Sequence, residues 1–131
     1  MEKFIKLHTA NGNRPIIIRA DLLIYAERGN KETCVQCAGN DDISYEATVN
    51  ESPEKIFEMA GERYIKIHMF ENNAVACLNV SYVDCVSDNN DKMVTTINAF
   101  DWNLAVNETP EKIYNMLQKA VKNSEETTTI K

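Results

Sequence analysis

No run of Lys or Arg occurs anywhere in the 131 residues, and this absence removes one large class of function first. Fourteen cations stand against twenty acids for a net charge of −6. Residues 1–62 hold 7 of the cations and 11 of the acids, and 63–131 hold 7 and 9, so neither half is basic. A nucleic-acid backbone is held by clustered cations, so no nucleic-acid partner is expected. No apolar run approaches the roughly 20 residues of a membrane-spanning helix, which predicts no membrane partner. Met1-Glu2-Lys3 leads into a strand pattern, not into a signal peptide, and a cytoplasmic protein is expected. A Gly-rich phosphate loop, a nucleophile elbow and a paired-carboxylate motif are all missing, so no catalytic residue and no cofactor is expected. The acidic turns Asp41-Asp42 and Asp88-Asn89-Asn90-Asp91 lack the glycine and distant glutamate of a calcium loop and read as hairpin turns.

What the chain does have is a duplication. Val49-Asn50-Glu51-Ser52-Pro53-Glu54-Lys55-Ile56-Phe57-Glu58-Met59 returns as Val106-Asn107-Glu108-Thr109-Pro110-Glu111-Lys112-Ile113-Tyr114-Asn115-Met116, with eight of eleven positions identical. Phe4-Ile5-Lys6-Leu7-His8 returns as Tyr64-Ile65-Lys66-Ile67-His68. The spacing is 60 at the front and 57 at the back, which places the shortening in the last hairpin of the second copy. A unit of about 60 residues is marginal alone, so two units packed as one body are expected.

Within each copy, strand patterns precede a helix. Strands are predicted over 3–9, 15–20, 22–27, 32–38 and 43–49, then 64–70, 74–80, 82–86, 93–98 and 102–106, separated by turn residues such as Asn11-Gly12-Asn13. Short turns throughout predict an antiparallel meander. Ser52 and Thr109 are the predicted N-caps, with Pro53 and Pro110 at the first helical position and Glu54 and Glu111 against the helix dipole. Gly61 stops the first helix. The second carries an apolar stripe of Ile113, Met116, Leu117, Ala120 and Val121. The fold class is therefore α+β: two pseudo-symmetric repeats, each a meander of about five short strands followed by one helix. The first repeat is 1–62, the second 63–122, and 123–131, polar and without periodicity, is expected to be a disordered tail.

Cys34-Val35-Gln36-Cys37 invites a zinc reading, with Cys77 and Cys85 further on. Aligning the repeats sets Cys34 against Val94, Cys37 against Ile97, Cys77 against Ile17 and Cys85 against Tyr25, so the cysteines read as small core hydrophobes and not as metal ligands. Trp102 reads as a core anchor beside Tyr82 and Tyr114. His8 and His68 are duplicated, but no nucleophile recurs with them and no orienting partner is evident. Strand periodicity puts Ile5, Leu7, Ile65 and Ile67 on the buried face and Lys6, His8, Lys66 and His68 on the opposite one. Those four form a candidate contact surface, for a protein partner or for self-association about a two-fold axis.

The order Phe4-Ile5-Lys6-Leu7-His8, Asn11-Gly12, Ile16-Ile17-Ile18-Arg19-Ala20-Asp21-Leu22 and Val49-Asn50-Glu51-Ser52-Pro53-Glu54-Lys55-Ile56 resembles the small FlbD-type flagellar and swarming family, which implies a tandem form of that β-meander-plus-helix unit and carries over no catalytic residues. In the second copy Asn72-Asn73 and Val80-Ser81-Tyr82 depart from the turn and the A-D-L element. Ile17 to Glu27 is similar to a segment of LytTR-type domains, which implies a nucleic-acid-binding alternative that the acidic charge opposes. The expected function is a non-catalytic binding or regulatory module for a protein partner. The alternatives are that LytTR-like domain and an enzyme with an unrecognised site.

Overall fold

A computed structural model describes residues 3–39, 44–89, 94–100 and 102–129, with backbone alone for 89 and 122–129. The order is β1 (Phe4–His8), β2 (Pro15–Arg19), β3 (Leu23–Arg28), β4 (Thr33–Ala38), β5 (Ser44–Val49), α1 (Pro53–Ala60), then β6 (Tyr64–His68), β7 (Val75–Asn79), β8 (Val83–Asn89), β9 (Val94–Ala99), β10 (Trp102–Val106) and α2 (Pro110–Thr129). The fold is α+β, with ten strands in three antiparallel sheets among the described residues.

The meander breaks after the second strand of each run. A single 3-10 turn, Ala20–Leu22 or Val80–Tyr82, carries the chain from β2 to β3 and from β7 to β8 without pairing them. The hairpin β1–β2 closes on the end of β5 instead, through the Thr9–Val49 bridge, and β6–β7 closes on β10 through Met69–Val106. The tight turns between the first two strands need left-handed residues. Gly12 (φ 88°) and Asn13 (φ 51°) supply them in one, Asn73 (φ 56°) in the other, and Asn tolerates that region better than other side-chain-bearing residues.

Short ladders recur with the same partner pattern. Phe4 to His8 pair with Arg19 to Pro15, and Tyr64 to His68 with Asn79 to Val75. A bulge falls between Leu23 and Tyr25 in β3 and between Val83 and Cys85 in β8. The ladders correct one alignment, however. Tyr25 faces Gln36 on β4 and Cys85 faces Asn98 on β9, so Cys34 corresponds to Thr96 and Cys37 to Ala99, not to Val94 and Ile97. The β8–β9 hairpin has gained one rung, Asn89 with Val94, and the whole shortening falls in the last hairpin. Turns tolerate such length changes better than the strands they join.

A third pairing joins the two runs. β3 is flanked by β4 on one side and by β7 on the other, giving a five-stranded sheet in the order β5-β4-β3-β7-β6. Tyr25, Ala26 and Glu27 face Leu78, Cys77 and Ala76 across this junction. Its two faces feed two cores. Ala26 and Cys77 lie with Leu7, Ile56 and Phe57 under α1, while Tyr25 and Leu78 lie with Ile67, Ile97 and Ile113. Fully burying a side chain such as Phe57 contributes about 2 kcal/mol.

The helix starts follow from their capping residues. The Ser52 hydroxyl accepts from the Lys55 amide at 3.3 Å, and that of Thr109 from Lys112 at 3.2 Å. Gly61 ends α1 in the left-handed conformation (φ 70°). On α2 the apolar stripe thins: Ile113 is buried, Met116, Leu117 and Ala120 are half-buried, and Val121 is exposed. The α2 backbone continues as helix through 123–129, where a tail is expected. Among the described residues, no helix is long and apolar enough to cross a membrane.

Candidate functional site

Each predicted contact histidine ends its strand beside a carboxylate from the helix-start motif. The Glu51 carboxylate accepts the His8 amide at 3.0 Å and meets the ring Nδ1 at 2.8 Å. Glu108 does the same to His68, at 2.9 and 2.7 Å. The Asn50 amide donates to the His8 carbonyl, and its side chain to the Thr9 carbonyl and to Asn13. Asn107 repeats every one of these contacts on His68, Met69 and Asn73. Burial pushes both carboxyls up, but the hydrogen bonds from the ring and amide of each histidine outweigh it and hold both below the usual range.

These knots supply the orienting partners that the sequence reading of the histidines lacked. Glu51 and Glu108 were legible only as helix-start residues. A signal did exist: the separations are 43 and 40, so the glutamate moves with the histidine between copies. Chemically, a carboxylate-held imidazole is half of an acid–base site. Among the described hydrogen bonds, however, each ring touches only its glutamate, and each knot fastens a strand end to a helix start.

The lysines part company with the histidines. Lys6 and Lys66 are exposed on the faces opposite Ile5, Leu7, Ile65 and Ile67, as periodicity predicts. Lys66 reaches Glu54 on α1 at 3.1 Å, across the junction of the two runs. β1 and β6, which carry Lys6/His8 and Lys66/His68, belong to different sheets.

Three of the thiols are held protonated. Burial pushes Cys34 and Cys37 to about 11 and Cys77 to about 12, which disfavours the thiolate needed for metal binding or attack. Cys85 departs from the core reading and is exposed, because β8 is an edge strand. No group of three or more His, Cys, Asp or Glu that could hold a metal occurs among the described residues. Residues 41–42 and 90–91 of the acidic turns lie outside the described residues. Trp102 packs edge-on against Tyr25 at 5.9 Å and not against Tyr82, which pairs with Phe100.

Among the described residues, apolar grooves lie beside two edge strands. One, of about 340 Å³, lies along β2 and is lined by Ile16, Ile17, Leu22, Ala38 and Tyr45. The other, of about 580 Å³, lies between β8 and α2 and is lined by Val83, Cys85, Val86, Tyr114 and Leu117. Sequence reasoning missed both, since only the sheet order reveals β2 as an edge. No family model, curated protein or solved structure matches the chain.

Proposed function

We propose that the protein is a non-catalytic, cytoplasmic protein-binding module made of two copies of one β-meander-plus-helix unit, 1–62 and 63–122, related by pseudo-symmetry. The duplicated-unit reading is supported by the first hairpin, which recurs rung for rung, and by the recurring bulges, N-caps and His–Glu knots. The FlbD-like motif order fits such a unit. Four free cysteines suit a reducing compartment.

One observation carries the binding role. Ile17 and Tyr45 are 59% and 61% exposed beside the unpaired backbone of β2, forming an apolar groove along an open edge. An open edge offers main-chain hydrogen bonds to an incoming strand, and the groove offers seats for its side chains. A folded protein rarely leaves such a surface without a use. A photo-crosslinking amino acid placed at position 17 in cells making the protein tests this. Adducts of protein size at position 17, with none at exposed Glu58 on α1, are the expected result; no adduct at position 17 would refute it.

A further inference from the structure

We propose that the chain associates head-to-tail with further copies of itself, β8 of one molecule pairing with β2 of the next in the manner of β3 with β7 inside each molecule. This rests on the duplicated-unit reading and names the partner for the β2 groove.

The strands form one linear array: β2-β1, bridged to β5-β4-β3, joined to β7-β6, bridged to β10-β9-β8. Its interior joint uses the third strand of one unit and the second strand of the other. The edges left over at the two ends are β2 and β8, a second strand and a third strand. The array therefore ends in the same two surfaces that meet at its centre.

The exposed apolar side chains fall where this joint would need them. At the interior joint Cys77 is fully buried under α1, where Phe57 is also fully buried and packs on the Tyr64 ring at 5.2 Å. The repeat counterparts of Cys77, Phe57 and Tyr64 are Ile17, Tyr114 and Phe4, each 59% exposed. Trp102, which meets Tyr25 edge-on across the interior joint, has Tyr45 as its counterpart. Four of the six exposed large hydrophobics among the described residues are thereby accounted for, and both apolar grooves are filled.

The charges agree. Lys66 meets Glu54 at the interior joint, and their counterparts Lys6 and Glu111 would meet at the outer one. Carrying the interior register across sets Cys85, Val86 and Ser87 opposite Ile18, Ile17 and Ile16. One step further, Asp84 comes to face Arg19, which already holds Asp21. Such an interface is heterologous, not two-fold, so it builds an open chain or a closed ring.

Sedimentation velocity of the full chain over a wide concentration range tests this, using Ile17→Asp to block the β2 side and Tyr114→Asp to block the β8 side. Both positions are exposed, so the folded monomer should persist, as circular dichroism would verify. Wild type should form species larger than one chain, each variant alone should lose at least tenfold in association, and an equimolar mixture should stop at a dimer. Ile18→Cys should form an intermolecular disulfide on mild oxidation, and the added Cys85→Ser should abolish it. A wild type that stays monomeric would overturn the proposal, as would undiminished assembly of either variant or a mixture that stays monomeric. If wild type is monomeric but position 17 still crosslinks to a different protein, the self-association fails and the binding-module reading stands.

Discussion

Replacing Glu108 by alanine removes both acceptors of one knot at a site where water is a poor substitute. The carboxylate is 6% exposed, and it holds the His68 amide at 2.9 Å and the ring Nδ1 at 2.7 Å. An amide left without an acceptor costs about 1–3 kcal/mol, and a charge-assisted bond is worth about 1.5–3 kcal/mol. Because both run through one side chain they do not simply add, and the expected loss is about 3 kcal/mol. For a chain of this size that lowers Tm by roughly 10 °C. Glu51→Ala makes the same cut where the side chain is 13% exposed, and should cost about 1–2 kcal/mol. Glu108→Gln keeps an acceptor for the amide and should cost about 1 kcal/mol. Urea unfolding followed by fluorescence of Trp102, the single tryptophan, reads all three. The pH dependence has a definite sign. A carboxyl held below its ordinary value of 4.5 contributes stability that is complete above that value and is lost as pH falls through the depressed one. The gap between wild type and Glu108→Gln from this group should therefore shrink only below about pH 4.5. A cost for Glu108→Ala under about 0.5 kcal/mol, or a gap that widens in acid, would refute the knot as a stabilising clamp.

Three further outcomes follow from the same geometry. Replacing Cys34 by Thr and Cys37 by Ala, the residues at the corresponding rungs, should change stability by no more than about 1–2 kcal/mol, and stoichiometric zinc lost in that variant would contradict the core reading of these thiols. Gly61→Ala should cost about 1–2 kcal/mol in thermal unfolding, since a Cβ at φ 70° is strained. A gel-shift titration should show no retardation of duplex DNA or RNA near physiological salt, whereas submicromolar binding that weakens steeply with salt would favour the LytTR-like alternative.

Local rules carried much of the architecture. Ser52, Thr109, Pro53 and Gly61 sit where capping chemistry places them, and Ile5, Leu7, Ile65 and Ile67 face inward as period-2 alternation requires. The break after β2 was not legible, because a 3-10 turn and a hairpin turn are both short and polar-flanked, and only the bridge to β5 distinguishes them. The β3–β7 junction lies further out of reach, since nothing in either strand's own pattern states which distant edge it will meet. Aligning Ile17 with the core residue Cys77 did not show that Ile17 itself is exposed. The cysteine alignment slipped for a simpler reason: one gained rung in β8–β9 offsets the two copies where no sequence landmark survives.

The joining of the two runs through β3 and β7 underlies the proposed assembly, and cross-strand nuclear Overhauser effects test it most directly. In a uniformly labelled sample, contacts should link the backbone of Ala26 with Cys77, flanked by Tyr25 with Leu78 and Glu27 with Ala76, alongside matching sets for Phe4–Arg19 and Tyr64–Asn79. Spectra in which Ala26 and Cys77 show no contact, or in which the two hairpins adopt different registers, would contradict it.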